Sequence, residues 1–510
     1  MSVADREETL FLVRFGVEIP TKARGTRARF QKRLARNLRA GLDAAGVQYR
    51  LEEKWSRFLL HVDDPGGGAQ VLRTTFGVHS FFQVDARFPA DLDRIVQEGE
   101  SLYGERIRGL PFKVEARRSG EAPVQARDVR ERLGAALNRY APVELDHPEA
   151  TIRVEIRDGE AFLFSDPLEG PGGLPVGVEG RAVCLVSGGF DSAVAAWLAL
   201  KRGVALDFVF CNLGGGAYER SVLQVAKVVA DHWSHGARPS MHVVDFDAPV
   251  EDLKAVVKPS YWQLLLKRLM YRAGERVAQE VRADALVTGE AIGQVSSQTL
   301  PNLRAIEDAV SHPVIRPLVT MDKPEIIQLA GQVGTASLSA PIQEYCDLLP
   351  GKPVTAARVE AARQEERKLD LQLLDDAMAS RRVLSLADLD PEQLISDYLF
   401  FRQVPDDAVV VDCRADAEYR QWHWPGAVHH DAADLSRGYR QFDKTRMYLL
   451  YCSYGLVSAD LAEQMQREGF EAYAFKGGVN ALRAQARQKE RSGTAPRDQR
   501  GAIGATGAGG

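Results

Sequence analysis

The chain alternates short apolar runs with amphipathic stretches from its first residues to about position 487. Leu10 to Gly16 (LFLVRFG) predicts a strand. Thr21 to Ala40 then spaces Phe30, Leu34 and Leu38 four residues apart, the apolar seam of a helix. Arg57 to Val62 (RFLLHV) predicts the next strand, giving a small βαβ-like opening unit. From Pro65 to Glu169 strand and helix patterns alternate. Gly77–Val84 and Phe112–Gly120 are strand-like, Asp91–Tyr103 and Asp128–Tyr140 helical, and Thr151–Arg157 with Ala161–Phe164 forms a closing hairpin. Gly170–Pro175 (GPGGLP) is a linker by composition. Beyond it Val183–Val186, Asp207–Asn212 and His242–Phe246 are near-continuous apolar runs, each followed by helical sequence. That alternation predicts a doubly wound parallel sheet with ligand at the carboxyl ends of its strands. A helix runs from Leu264 towards Val281, a strand ends at Ala285–Ala291, and Asp322-Lys-Pro-Glu325 opens another helix. Val359–Arg382 is a charged helical stretch, expected to be a solvated connector. Runs at Val409–Arg414, Tyr448–Cys452 and Gly469–Gly478 predict a last α/β domain. The tail 488–510 is Gly/Ala-rich and polar, the composition of a disordered segment.

Length adds a bound: 510 residues hold about three or four domains. The net charge of −5 gives no global reason to bind nucleic acid, so any such reading rests on a local patch. One exists. Between Thr21 and Ala40 the chain carries Lys22, Arg24, Arg27, Arg29, Lys32, Arg33, Arg36 and Arg39 without an acidic residue, a cationic face suited to a phosphate backbone. Arg117-Arg118 adds a basic pair at a strand end. No apolar run reaches membrane-spanning length and the N-terminus is acidic rather than signal-like, so the cytoplasm is expected. The five cysteines, 184, 211, 346, 413 and 452, contain no C-x-x-C pair, which argues against a zinc knuckle or an iron–sulfur site; no metal ligand set is assigned.

The strongest chemical signal is Val183-Cys-Leu-Val-Ser-Gly-Gly-Phe-Asp-Ser192. A strand, a glycine turn and a helix in that order aim bare backbone N–H groups and a helix dipole at one point, an anion site. Ser187 and Ser192 add hydroxyls, Gly188 and Gly189 allow close approach, and no lysine follows as a β,γ-phosphate loop would require. The six residues resemble the S-G-G-x-D-S loop of the ATP pyrophosphatases, which adenylate a substrate and release pyrophosphate. The layout of residues 63–169, and F-K-V-E-A-R-R-S-G above all, resembles the THUMP RNA-binding domain.

Further segments make the resemblance more specific. S-G-G-F-D-S, N-L-G-G, L-K-R, V-T-G-E-A-I-G-Q-V-S-S-Q-T-L-x-N-L, R-P-L and E-Y-C-D resemble the tRNA uracil 4-sulfurtransferase (4-thiouridine synthetase) family, whose members also serve thiazole formation for thiamine in some bacteria. The similarity runs from about residue 8 to about 375. It implies ATP held at Leu185, Val186, Lys267, Gly289 and Gln298. Leu185 and Val186 end a strand, where backbone groups read adenine; Lys267 neutralises phosphate, Gly289 avoids a collision, and Gln298 offers an amide. Asp191 and the loop serines position phosphates, with Mg²⁺, as AMP separates from pyrophosphate.

The last domain has D-x-R at Asp412–Arg414, P-G-A at Pro425–Ala427, a strand ending in Cys452 with C-x-x-G-x-x-S, and K-G-G at Lys476–Gly478. That order resembles a rhodanese domain. Loop N–H groups and the helix N-terminus stabilise a thiolate or persulfide at Cys452. Asp412 and Arg414 resemble that family's scaffold pair, and Cys184, Cys211 and Cys413 read as core packing. The resemblance further implies that a cysteine desulfurase loads Cys452, that Cys346 resolves the persulfide through a Cys346–Cys452 disulfide, and that a ubiquitin-like sulfur carrier of thiamine synthesis is a possible second partner. The expected architecture is multidomain α/β and α+β: a ferredoxin-like unit over 1–62, a THUMP domain over 63–169, a pyrophosphatase domain over 176–385 and a rhodanese domain over 402–487. The front, with Lys22, Arg24, Arg27, Arg117 and Arg118 on the RNA, presents a tRNA whose eighth nucleotide is thiolated. The main alternative is a stand-alone ATP pyrophosphatase that amidates or thiolates another substrate, which would need neither the basic module nor Cys452. A plain thiosulfate sulfurtransferase would need only the last domain.

Overall fold

In the computed structural model, residues 8–120, 123–164, 166–213, 215–340, 352–390, 399–405, 407–453 and 455–491 are described. The chain divides into two compact units, one of residues 1–178 with 201–203, the other of 179–200 with 204–510.

The first unit contains β1 (Thr9–Phe15), α1 (Arg24–Ala44), β2 (Tyr49–Lys54), β3 (Arg57–Val62), α2 (Pro65–Thr74), β4 (Val78–Pro89), α3 (Leu92–Tyr103), β5 (Phe112–Ser119), α4 (Ala126–Leu137), β6 (Ala150–Arg157), β7 (Glu160–Phe164) and β8 (Leu168–Glu169). One sheet of order β2-β3-β1-β4-β7-β6-β5, with β8 on β4, runs through all of it. The opening is not the expected βαβ crossover. β3 pairs antiparallel with β1, and β2, whose YRLEEK sequence gave no apolar run, pairs antiparallel with β3. The predicted hairpin of β6 and β7 forms, and β5 lies parallel to β6. The α1 seam of Phe30, Leu34 and Leu38 is fully buried against β1 and β3. The Gly170–Pro175 linker is not loose: Asn37 Nδ2 donates to the Val176 carbonyl at 3.2 Å, Arg33 Nη2 to that of Gly177 at 3.1 Å, and Leu174 and Val176 are buried.

The second unit opens with β9 (Arg181–Leu185), α5 (Phe190–Lys201), β10 (Ala205–Asn212), α6 (Gly215–Trp233), β11 (Ser240–Asp245), α7 (Asp247–Val256), α8 (Trp262–Val281), β12 (Ala285–Val287), α9 (Leu300–Glu307), β13 (Val314–Ile315), α10 (Lys323–Val333) and α11 (Ala336–Ser339). Then follow α12 (Val359–Glu366), α13 (Leu371–Ala379) and β14 (Arg382–Ser385). The sheet order is β13-β12-β9-β10-β11-β14, parallel except for β14. This is the doubly wound sheet that the apolar runs predicted. The Val359–Arg382 stretch departs from its expected solvated role. Glu366 is buried and takes Arg268 Nη2 at 2.6 Å and Arg272 Nε at 3.0 Å, while Ala362, Leu374 and Met378 join the core. A fully buried guanidinium requires a paired anion, and this stretch supplies it.

The last part holds β15 (Phe400–Phe401), β16 (Val409–Asp412), α14 (Asp416–Gln421), β17 (Val428–His429), α15 (Ala432–Gly438), β18 (Met447–Tyr451), α16 (Leu456–Arg467), β19 (Glu471–Phe475) and α17 (Gly478–Arg491). Its parallel sheet has the order β15-β19-β18-β16-β17. Most of the tail, 492–510, lies outside the described residues, as does Cys346 with Glu344-Tyr-Cys-Asp347.

Candidate active site

β9 sits between β10 and β12, so the loop after it faces the carboxyl ends of three parallel strands. Gly188 takes φ +79°, which turns the chain from strand to helix within the loop where a side chain would be strained. The loop is tied across itself: the Ser187 N–H donates to Ser192 Oγ at 3.3 Å, and Ser192 Oγ–H donates to the Gly189 carbonyl at 3.1 Å. α5 starts at Phe190, so Asp191 stands in the first helical turn, buried. Its carboxylate accepts Lys323 Nζ at 2.7 Å and Gln294 Nε2 at 2.6 Å. Lys323 reaches it from the start of α10, where Asp322 and Glu325 form a capping box.

Opposite the loop, Gly289 follows β12. A Cβ there would stand 2.6 Å from the Asp191 carbonyl carbon and 2.7 Å from the Ser192 nitrogen, so only glycine lets the chain after β12 pack against the first turn of α5. The next residue, Glu290, is buried and takes Lys267 Nζ at 3.1 Å, Arg316 Nε at 2.9 Å, Thr288 Oγ1 at 3.2 Å and the Tyr271 hydroxyl. Burial pushes this carboxyl up, but Lys267, Tyr271 and Arg316 outweigh it and hold Glu290 down at about 2. The segment after it is stapled by Asn302, fully buried, whose Nδ2 donates to the Ser296 carbonyl at 2.8 Å and to that of Val354 at 2.7 Å. Gln298 Oε1 accepts the Ala291 N–H at 3.2 Å.

These elements enclose a cavity of about 130 Å³. Of the residues singled out from sequence, Leu185, Val186, Ser187, Asp191, Ser192, Lys267, Gly289 and Gln298 all line it. Gly188 and Gly189 lie in the loop beside it. Phe210, Leu213 and Met270 make an apolar wall, and Tyr271, Thr288 and Glu290 a polar one. An apolar slot beside cationic and N–H donors suits a nucleotide, base on one side and phosphates on the other. One expectation changes: the Val186 N–H donates to the Val209 carbonyl at 2.9 Å, so that amide is spent on the sheet rather than on a base. Sequence reasoning did not assign Glu290, Tyr271, Arg316, Gln294 or Lys323, although Glu290, Gln294 and Arg316 sit inside the quoted T-G-E-A-I-G-Q and R-P-L segments. Among the described residues no group of three His, Cys, Asp or Glu side chains is placed to hold a metal. None of the described helices is long and apolar enough to cross a membrane.

Cys452 follows β18 directly. Its Sγ accepts the Gly455 N–H at 3.1 Å, and Ser458 Oγ lies 3.5 Å from it while also 3.1 Å from the Gly455 carbonyl. Ser453 Oγ donates to Glu418 Oε1 at 3.1 Å, and the Cys452 carbonyl accepts the Val479 N–H at 2.9 Å, so the start of the loop is held by two contacts. Asp412 and Arg414 form a buried bidentate pair at 3.0 and 2.6 Å, with the Tyr451 hydroxyl on Asp412 at 2.6 Å. They frame the sheet end. Cys184, Cys211 and Cys413 are buried in the core; burial pushes the Cys184 thiol up to about 12 and the other two up as well. They pack as neutral thiols.

In the first unit Arg24, Arg29, Lys32 and Arg36 stand exposed on α1, and Arg117 and Arg118 are exposed at the end of β5. Lys22 and Arg27 are half-buried. The face is not wholly uncompensated as the sequence suggested: Arg39 pairs with Glu53 at 2.6 Å, and Arg33 is bound to the Gly177 carbonyl.

The profile described as "Thiamine biosynthesis protein (ThiI)" matches residues 177–371, "Rhodanese-like domain" 402–485, "ThiI ferredoxin-like domain" 10–81 and "THUMP domain" 89–166. A tRNA sulfurtransferase of Desulfurococcus amylolyticus is 34% identical over 478 residues, 93% of this chain and 98% of that protein. One from Proteus mirabilis is 30% identical, covering 90% and 98%. The crystal structure of a 4-thiouridine synthetase–RNA complex with bound ATP superposes with a TM-score of 0.66 at 30% identity, covering 74% of this chain and 99% of that one. Identity at that level along nearly the whole of two chains makes this protein a member of the tRNA sulfurtransferase family.

Proposed function

We propose that this protein makes 4-thiouridine in tRNA, at the eighth nucleotide, from ATP and a persulfide carried on Cys452. The observation that carries the reading is the pairing, in one chain, of the Ser187–Ser192 loop beside a cavity lined by Lys267, Gly289 and Gln298 with a cysteine whose Sγ meets the Gly455 N–H and Ser458 Oγ. The ATP-bound neighbour supports the nucleotide half, and the tRNA sulfurtransferase relatives support sulfur transfer to tRNA.

ATP enters with its base against Phe210, Leu213 and Met270 and its phosphates towards the loop N–H groups, Ser187, Ser192 and Lys267. Lys323 stands beside Asp191 at the phosphate end, ready to neutralise charge that develops on the pyrophosphate. Asp191 alone suits a Mg²⁺ that arrives with the triphosphate, since that ion is usually held by one or two carboxylates plus substrate oxygens. Mg²⁺ would supply further charge neutralisation there. The uridine C4 oxygen attacks the α-phosphorus, pyrophosphate leaves, and C4 now bears AMP as a leaving group. The terminal sulfur of the Cys452 persulfide attacks C4 and AMP departs. The Cys346 thiolate then attacks Cys452 Sγ: the S–S bond to the nucleoside breaks, its electron pair stays on the C4 sulfur, and a Cys346–Cys452 disulfide forms. A dithiol reductant returns both thiols. A cysteine desulfurase as donor, a ubiquitin-like carrier as acceptor for thiamine synthesis and a cytoplasmic setting follow from the same reading. The test is mass analysis of tRNA nucleosides from a deletion strain, complemented or not with this chain; 4-thiouridine persisting in the uncomplemented strain would refute the assignment.

A further inference from the structure

The turn between β2 and β3 carries Trp55, which is 69% exposed, level with Leu145 at the top of the large apolar side chains among the described residues. A single exposed apolar side chain is ordinary in itself. This one is held ready. The Arg27 guanidinium lies over its ring at 3.8 Å from the centroid, Gln31 Nε2 donates to its carbonyl at 2.7 Å, and Arg157 Nη1 donates to Oγ of the adjacent Ser56 at 2.8 Å. Arg27 and Gln31 are one turn apart on α1, so the helix that presents the cations also clamps the turn. Arg24, Arg29, Lys32 and Arg36 on that helix are exposed, its first turn has no acidic residue, and the nearest acidic side chain on β2, Glu53, is taken up by Arg39.

We propose that Trp55, backed by Arg27, is a stacking platform for one unpaired base of the RNA. The proposal rests on the reading that the first unit binds tRNA and adds a specific contact to it. An indole with a guanidinium on one side offers the rest of its π-surface to a base, and the surrounding cations take the flanking phosphates. Arg27 is thereby a positioning residue for the ring rather than another phosphate contact. A hydrophobic partner protein would gain nothing from the ring of positive charge, which favours a polyanion.

The test uses the full chain and unmodified tRNA. Trp55→Ala should weaken binding about tenfold while leaving the slope of log K against log salt unchanged, because stacking neutralises no phosphate. Trp55→Phe should retain most of the affinity. The chain holds six tryptophans, so quenching is read as the difference between wild type and Trp55→Phe. An RNA duplex with a single-stranded overhang should quench that difference signal and a blunt duplex should not. Wild-type affinity in Trp55→Ala, or equal quenching by both duplexes, overturns the platform. The double variant Arg24→Glu/Arg29→Glu separates the two ideas. If it weakens tRNA binding while Trp55→Ala does not, the platform alone falls; if neither variant matters, the RNA-binding reading of this unit falls with it.

Discussion

Lys323 Nζ sits 2.7 Å from the Asp191 carboxylate, joining the start of α10 to the first turn of the nucleotide loop's helix across 132 residues of chain. Asp191 is nearly buried whereas Lys323 is 40% exposed at its side chain, so the lysine can leave the aspartate and follow a phosphate without stranding itself. Both residues are therefore expected to act on the adenylation step. Asp191→Ala and Lys323→Ala should each lower ATP-dependent thiolation at least about a hundredfold, the usual cost of losing a preorganised charge partner of the transition state. Pyrophosphate release and tRNA binding measured together separate this from loss of fold, since tRNA affinity should stay near that of the wild type. Near-normal 4-thiouridine formation by Asp191→Ala would sink the pyrophosphatase mechanism.

Gly289 offers a steric test. A methyl group there meets backbone atoms of Asp191 and Ser192 at 2.6 and 2.7 Å, and backbone cannot swing aside as a side chain end can. Gly289→Ala should cost about 1–3 kcal/mol of stability and remove ATP binding by displacing the loop. Thermal unfolding and an ATP titration of the same preparation check both parts. A variant that binds ATP normally would show that the loop tolerates the shift.

The fold was legible where burial is written in local pattern. The apolar runs at Val183, Asp207 and His242 gave β9 to β11, and the four-residue spacing of Phe30, Leu34 and Leu38 gave α1. It was not legible where an edge strand is polar, as in β2 (YRLEEK), or brief, as in β14 (RVLS), because such strands carry no alternation strong enough to read. Charged residues that are buried in pairs failed for a related reason. Glu366 looks solvated in VEAARQEERK and becomes core only because Arg268, nearly a hundred residues away, must be neutralised. The cavity followed the same rule. Its loop residues announce themselves by spacing, whereas Lys323 and Tyr271 become site residues only through contacts at long sequence separation.

Glu290 makes the site pH-sensitive in one direction. Burial would raise its carboxyl, but Lys267, Tyr271 and Arg316 lower it to about 2 against an ordinary value of 4.5. A carboxylate depressed on folding stabilises fully above its unfolded value and loses that contribution as pH falls through the folded one. Glu290→Gln should therefore lower the melting temperature most at pH 6, with the gap to wild type closing between about 4.5 and about 2. A gap of constant size across that range would contradict the ion-pair account.

The cations of the first unit should not be equivalent. Arg117 and Arg118 are exposed at the end of β5, while Arg39 is held by Glu53 at 2.6 Å. Each phosphate contact removed lowers the salt slope by about 1. Arg117→Ala and Arg118→Ala should each do so for tRNA, and Arg39→Ala should leave the slope unchanged. Equal effects from all three would show that α1 and β5 act through bulk charge rather than through placed contacts.

The sulfur path makes the sharpest demand on the chain. Cys452 Sγ accepts the Gly455 N–H at 3.1 Å and has Ser458 Oγ at 3.5 Å, so polar groups already surround the sulfur that would carry the persulfide. Cys184, Cys211 and Cys413 cannot substitute, because burial keeps them neutral. Cys452→Ser should therefore be inactive with a cysteine desulfurase as donor and recover with free sulfide, which needs no carrier. Cys346→Ser should turn over no more than once with the desulfurase donor, leaving the tRNA linked through sulfur to Cys452, since nothing then attacks Cys452 Sγ. Ser458→Ala removes one donor while keeping the Gly455 amide, and should slow persulfide loading without abolishing it. The measurement is peptide mapping after a single turnover without reductant. A Cys346–Cys452 disulfide is expected in the wild type, in an amount equal to the 4-thiouridine formed. Active enzyme that forms no Cys346–Cys452 disulfide would remove Cys346 from the mechanism.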